Sequence, residues 1–197
     1  MWVYKTGQFE ENPIVLYDYE VGRSGEFAKK FLSGFSGYLH CNAWTGYDKV
    51  ENAKRCGCWA RLRRYFLNAL DVQEDKTDYS TIAGQGLLMI QEIFALEKID
   101  PKNPREKRKY TLEETAEIRE KNSADKVKEF FKFCEENQGR TLPKSLTGRA
   151  IGYALNQRKA LETFLENPKI ELTNNSAERA IKPFVIIHCH IISRPHQ

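Results

Sequence analysis

Hydrophobic positions along the chain change their period twice. Met1–Thr6 and Ile14–Glu20 are rich in Val, Ile, Tyr and Trp and flank Glu11-Asn12-Pro13, which predicts two short strands joined as a hairpin. From Ser24-Gly25-Glu26 the spacing turns helical: Phe27, Phe31, Leu32 and Phe35 recur on one face, and Gly34 and Gly37 punctuate the end. Tyr38–Asn42 predicts a strand that closes on a polar residue, Thr45–Val50 a helical turn, and Arg55–Trp59 another strand. Ala60–Leu70 follows as a helix with Leu62, Phe66, Ala69 and Leu70 turned inward.

Beyond Asp71 the strand formers thin out. Helical patterns run over Thr81–Lys98 and from Arg105 to about Asn137, and Pro101 and Pro104 separate them. In the second helix Val127, Phe130, Phe131 and Cys134 form an apolar stripe flanked by Lys126, Lys128, Glu129 and Lys132. Leu146–Leu165 predicts a third helix, closed by Asn167-Pro168. Lys169–Leu172 then reads as extended, and Asn174-Asn175 opens a short helix that Pro183 ends. The expected organisation is an α/β part at 1–70, an all-helical insertion at 71–142, a C-terminal helical part at 143–184 and a divergent tail at 185–197. No internal repeat is present.

Composition narrows the classes. At 197 residues the chain is long enough for a core without staples. Lys and Arg total 31 against 27 acids, a net charge of +4, so any polyanion partner must be argued from where the charge lies. No apolar run approaches the roughly 18–20 residues of a membrane span, and Met1–Lys5 has no secretory pattern, so a cytoplasmic protein with no membrane contact is expected. The five cysteines suggest no disulfide framework, and Cys56-x-Cys58 is too tight for a zinc hairpin. His40 falls at a strand end, and the neighbours His188-Cys189-His190 would point to opposite faces of a strand, which argues against a metal site there.

Two stretches carry candidate chemistry. No Asp or Glu occurs between Ala53 and Asp71, where Lys54, Arg55, Arg61, Arg63 and Arg64 are interleaved with Trp59 and Tyr65. Such cations grip phosphates with a salt-dependent contribution from each contact; the alternative is a solvated helix face whose arginine stems cover the sheet. In Asn174-Asn175-Ser176-Ala177-Glu178-Arg179, Asn175 and Glu178 have capping-box spacing. The competing reading makes Glu178 a metal ligand, with Arg179 and Lys182 facing phosphate.

Several further stretches then fall into one order: Arg23-Ser24-Gly25-Glu26, Gly37-Tyr38-Leu39, Gly46-Tyr47, Cys58-Trp59-Ala60, Arg63-Arg64-Tyr65-Phe66, Leu142-Pro143-Lys144-Ser145, Tyr153-Ala154-Leu155-Asn156-Gln157 and Asn174 to Pro183. This ordered set resembles transposases of the insertion-sequence-66 type, up to about Phe184. The resemblance implies a ribonuclease-H-like fold, DNA (transposon ends) as partner, and two aspartates and a glutamate holding two Mg²⁺ ions. Carboxylates suit Mg²⁺ because it prefers hard, anionic oxygens, and two ions roughly 3.5–4 Å apart clamp the attacking and leaving oxygens of a phosphodiester displacement.

Carried onto this chain, the resemblance places the glutamate at Glu178, the second aspartate at Asn42, and the first aspartate at no residue, because the chain would start at about the second strand of the fold. Arg61 stands where the family has histidine, and Thr173 where it has aspartate. Val185–Gln197 reads as out-of-frame sequence. The expectation is therefore an incomplete ribonuclease-H-like fold lacking its first, central strand, a truncated and catalytically inactive remnant. The alternative is a non-catalytic fragment that binds DNA, self-associates or joins an intact transposase.

Overall fold

The computed structural model of the protein describes residues 1–98 and 110–181. The expected hairpin forms: β1 (Trp2–Lys5) pairs antiparallel with β2 (Val15–Asp18), Trp2 opposite Asp18 and Lys5 opposite Val15. Thr6 and Ile14 close it, the Ile14 amide donating to Thr6 Oγ1 at 2.8 Å. Helix α1 (Gly25–Phe31) starts where Ser24 Oγ accepts the Glu26 amide, an N-cap that satisfies one orphan donor of the first turn. A second pair, β3 (Gly37–His40) and β4 (Ala53–Cys56), is parallel, with a 3₁₀ turn (Thr45–Lys49) in its connection.

Gly25 and Gly46 let α1 and that turn meet backbone to backbone. A Cβ on Gly25 would lie 2.5 Å from the Gly46 carbonyl oxygen, so only glycine fits there. Both sheets, α1 and the turn contribute to one small cluster, in which Trp2, Ala28 and Val50 are buried against Tyr4, Phe27, Leu39, Trp44 and others. The two sheets do not pair with each other.

Trp59 belongs to a helix, not to the strand the sequence suggests. It opens α2 (Trp59–Asp71), its amide donating to the Leu172 carbonyl at 3.1 Å and its indole Nε1 to the Leu161 carbonyl at 3.0 Å. Around it stand Phe130, Phe131 and Phe164, with ring centroids 5.6, 6.2 and 6.0 Å away. Helices α2, α3 (Ile82–Leu96), α5 (Ala124–Gln138) and α6 (Leu146–Asn156) share this one large core. The residues expected as a helical insertion pack directly on α2 and α6.

The long second helix is α4 (Leu112–Ile118), a π turn (Arg119–Ser123) and α5 in unbroken sequence, started by a full capping box between Thr111 and Glu114. The π turn brings Arg119 into the interior at 3% exposure, where all five of its guanidinium hydrogens are used. Nε and Nη2 grip both Glu97 oxygens, and Nη1 and Nη2 donate to the carbonyls of Phe164, Asn167 and Ile170.

The third predicted helix is likewise divided. It breaks at Gln157 into α6, α7 (Arg158–Glu162) and a 3₁₀ turn (Thr163–Glu166). The break lets α7 meet β4: the Gly57 amide donates to the Ala160 carbonyl at 2.7 Å and Thr163 Oγ1 to the Arg55 carbonyl at 3.1 Å. Residues 169–172 form no strand; the Ile170 carbonyl accepts from Arg119 and the Leu172 carbonyl from Trp59. Last comes α8 (Asn175–Ala180).

Candidate functional site

The residues predicted to hold chemistry fall into two places. Asn42 follows the end of β3. Its Oδ1 accepts the Trp44 amide at 3.1 Å, a local turn, and its own carbonyl accepts Arg55 Nη2 at 3.4 Å. His40, the last residue of β3, is half-buried, with Nε2 3.1 Å from the Gly57 carbonyl oxygen. Burial pushes its imidazole down to about 4, against the opposing pull of that carbonyl.

Glu178 and Arg179 lie exposed on α8. The expected capping box is not formed: the N-cap is Asn174 rather than Asn175, and it makes no side-chain cap hydrogen bond. Helix α8 is held instead from the hairpin, where Tyr17 Oη donates to the Ala180 carbonyl at 2.9 Å. Asn42 thus lies two residues beyond the end of β3, and Glu178 on a helix that packs beside β1. Among the described residues no three His, Cys, Asp or Glu side chains gather into a metal-binding group.

The predicted cations separate just as sharply. Lys54 is ion-paired with Glu166, and Arg55 with Asp48, so neither presents a free charge. Arg63, half-buried, and Arg64, exposed, have no ion-pair partner among the described residues. Both face an open cleft between α2 and α3 that reaches Asn175. Lys182 lies outside the described residues, as do the tail residues His188, Cys189 and His190. Cys41, Cys56, Cys58 and Cys134 are free and buried.

Residues 1–190 match the Transposase IS66 family. This chain belongs to that family. The match continues past Phe184, where the resemblance was expected to stop, to residue 190. Among curated proteins, the IS66 chain is 33% identical over 186 residues to the uncharacterized protein y4qI of Sinorhizobium fredii, covering 88% of this chain and 32% of that protein. It is 24% identical over 184 residues to the uncharacterized protein y4hP of the same organism, covering 86% of this chain and 32% of that protein. The chain thus spans about a third of the length of these relatives. No solved structure matches.

IS66 membership makes a divalent metal the expected cofactor, and the donors described here do not fit one. A hard dication needs several anionic oxygens; Asn42 offers a neutral amide already engaged with Trp44, and Glu178 belongs to no group of three or more His, Cys, Asp or Glu among the described residues. No described helix is long and apolar enough to cross a membrane.

The sequence reading missed Arg119, although its signal was present. Arg119 and Ser123 continue the Val127, Phe130, Phe131 and Cys134 stripe at helical spacing, so an arginine on the apolar face marks a buried guanidinium. The other omission was Asn175, Gln91 and Lys98, which share the cleft with Arg63 and Arg64. The lining residues recur at i, i+3, i+4 and i+7: Ala60, Arg63, Arg64 and Leu67 on α2, and Gln91, Phe94 and Ala95 on α3 with Lys98 just past its end.

Proposed function

We propose that this chain is a cytoplasmic segment of a transposase core that binds DNA through α2 and does not itself cleave it. The whole reaction of the family, metal-dependent phosphodiester cleavage and strand transfer at transposon ends, would need acids beyond Glu178. The observation that carries this reading is the amide at Asn42, hydrogen-bonded to the Trp44 amide where a second metal-binding carboxylate is expected. The free cations Arg63 and Arg64 support DNA contact, since each neutralised phosphate releases counterions.

A ribonuclease-H-like framework lacking its central strand is the fold we propose. Two separate two-stranded sheets that feed one cluster with α1 support it. The same feature favours a second reading, association with another copy or an intact transposase. Open strand edges and exposed Ile14, Leu16, Tyr19 and Val21 suit pairing with another chain.

The test is a salt-titrated DNA-binding assay beside a nicking assay with Mg²⁺ or Mn²⁺. Replacing Arg63 and Arg64 with alanine should lower the slope of log K against log salt by about 0.9 for each lost phosphate contact. No nicking is expected from the parent chain. Metal-dependent nicking abolished by Glu178→Ala would overturn the inactive reading.

A further inference from the structure

The cleft between α2 and α3 holds more than two arginines need. Its volume is about 620 Å³, within the roughly 300–1,000 Å³ of small-ligand sites. Arg63 and Arg64 on α2 and Lys98 just past α3 stand along it, no Asp or Glu among the described residues lines it, and its apolar lining includes the half-buried Leu67 and Phe94. Two side-chain amides, Gln91 and Asn175, complete it.

Phosphate alone would use the cations and leave the rest idle. A closed duplex presents phosphates, sugars and, in its grooves, base edges, while the flat faces of its bases are covered by stacking. An apolar recess flanked by amides instead suits a base that has left the stack: its flat face lies on Leu67 and Phe94 while Gln91 and Asn175 meet its hydrogen-bonding edge. Its phosphate then falls to the arginines and Lys98, the combination of cationic track and apolar platform by which unpaired strands are held.

We propose that the α2–α3 cleft of this chain seats a single unpaired nucleotide of a DNA strand. This rests on the reading that α2 contacts DNA, and it adds Gln91, Phe94, Lys98 and Asn175 to the interface. The recess then discriminates DNA by local structure, favouring sites that are already unpaired.

The experiment compares three labelled DNAs at one salt concentration: a paired duplex, the same duplex with one bulged nucleotide, and the single strand. Bulged and single-stranded DNA should bind about fivefold or more tighter than paired duplex, because the cost of extruding a base is already met. Gln91→Ala and the volume-sparing Phe94→Leu should bring bulged and single-stranded DNA down to the affinity of paired duplex, whereas Arg63→Ala/Arg64→Ala should weaken all three. With 2-aminopurine at the bulge, binding should change its fluorescence in the parent and not in Gln91→Ala. Equal affinity for the three DNAs, or a preference that survives both cleft variants, overturns the inference while leaving α2 as a DNA contact. Failure to bind any DNA overturns both.

Discussion

The helical part and the N-terminal α/β part of this chain use their apolar residues in opposite ways. In the helical part the largest fully buried side chains, from Trp59 to Phe164, interlock into one core. In the first 38 residues apolar side chains are plentiful, yet nine of the fourteen large hydrophobics exposed among the described residues lie there, including Val21 at 87% and Tyr19 at 77%. The difference shows where the chain closes its own surface. The helices satisfy one another, whereas two short sheets with open edges leave apolar surface for a further element, and an isolated two-stranded ribbon is marginal in water.

The strongest test of this contrast removes a large ring from each part. Trp59→Ala should cost about 3–5 kcal/mol in urea denaturation, through lost burial and a cavity among Phe130, Phe131 and Phe164. Trp2→Ala should loosen the small cluster alone, so hydrogen exchange should quicken in β1 and α1 while α2 and α5 keep their protection. If Trp2→Ala exposed the α2 amides equally, the two parts would be one cooperative unit.

Arg119 sits next in order. Arg119→Met should cost about 3 kcal/mol or more, because Glu97 loses its bidentate partner and three carbonyls lose their donors. The effect should appear as release of 164–170, the segment between the helical core and α8. A loss confined to the π turn itself would contradict that linkage.

His40 tests the α/β part through pH. The folded imidazole is held near 4 and an unfolded one titrates near 6.5, so between those values the unfolded state binds more protons. Stability should therefore be full above 6.5, fall by about 1.4 kcal/mol per pH unit on acidification, and stop falling from this source near 4, about 3 kcal/mol in all. His40→Gln, which retains an N–H for the Gly57 carbonyl, should flatten that window relative to the parent. Identical pH profiles would remove His40 as the cause.

Most of the elements were legible from period and punctuation: the hairpin, the Ser24-capped helix and the short strand before Asn42 all follow the residues that predict them. What was not legible depends on distant partners. Trp59 has strand propensity, but Leu161 and Leu172 carbonyls take its two N–H groups and fix it as the first residue of a helix. Gln157 carries no helix-breaking residue type, and the bend there answers to β4. For the site, the arginine pair was visible as an acid-free stretch, yet nothing local could say that Glu166 and Asp48 would claim Lys54 and Arg55. Charge counted along the sequence is not charge available to a partner.

That last point gives the smallest and sharpest contrast. Lys54 lies in the α/β part and is already neutralised by Glu166, whereas Arg64 is exposed in the helical part with no ion-pair partner among the described residues. An ion-paired lysine must first leave its carboxylate to meet a phosphate, so Lys54→Ala should leave the salt slope of DNA binding unchanged. Arg64→Ala alone should lower that slope by about 0.9. Glu166→Gln sharpens the comparison: it frees the Lys54 ammonium while removing a nearby negative charge, and if Lys54 lies within reach of the DNA path the slope should then rise. A slope that falls equally for Lys54→Ala and Arg64→Ala would mean that DNA crosses both parts and that the ion pair opens on binding.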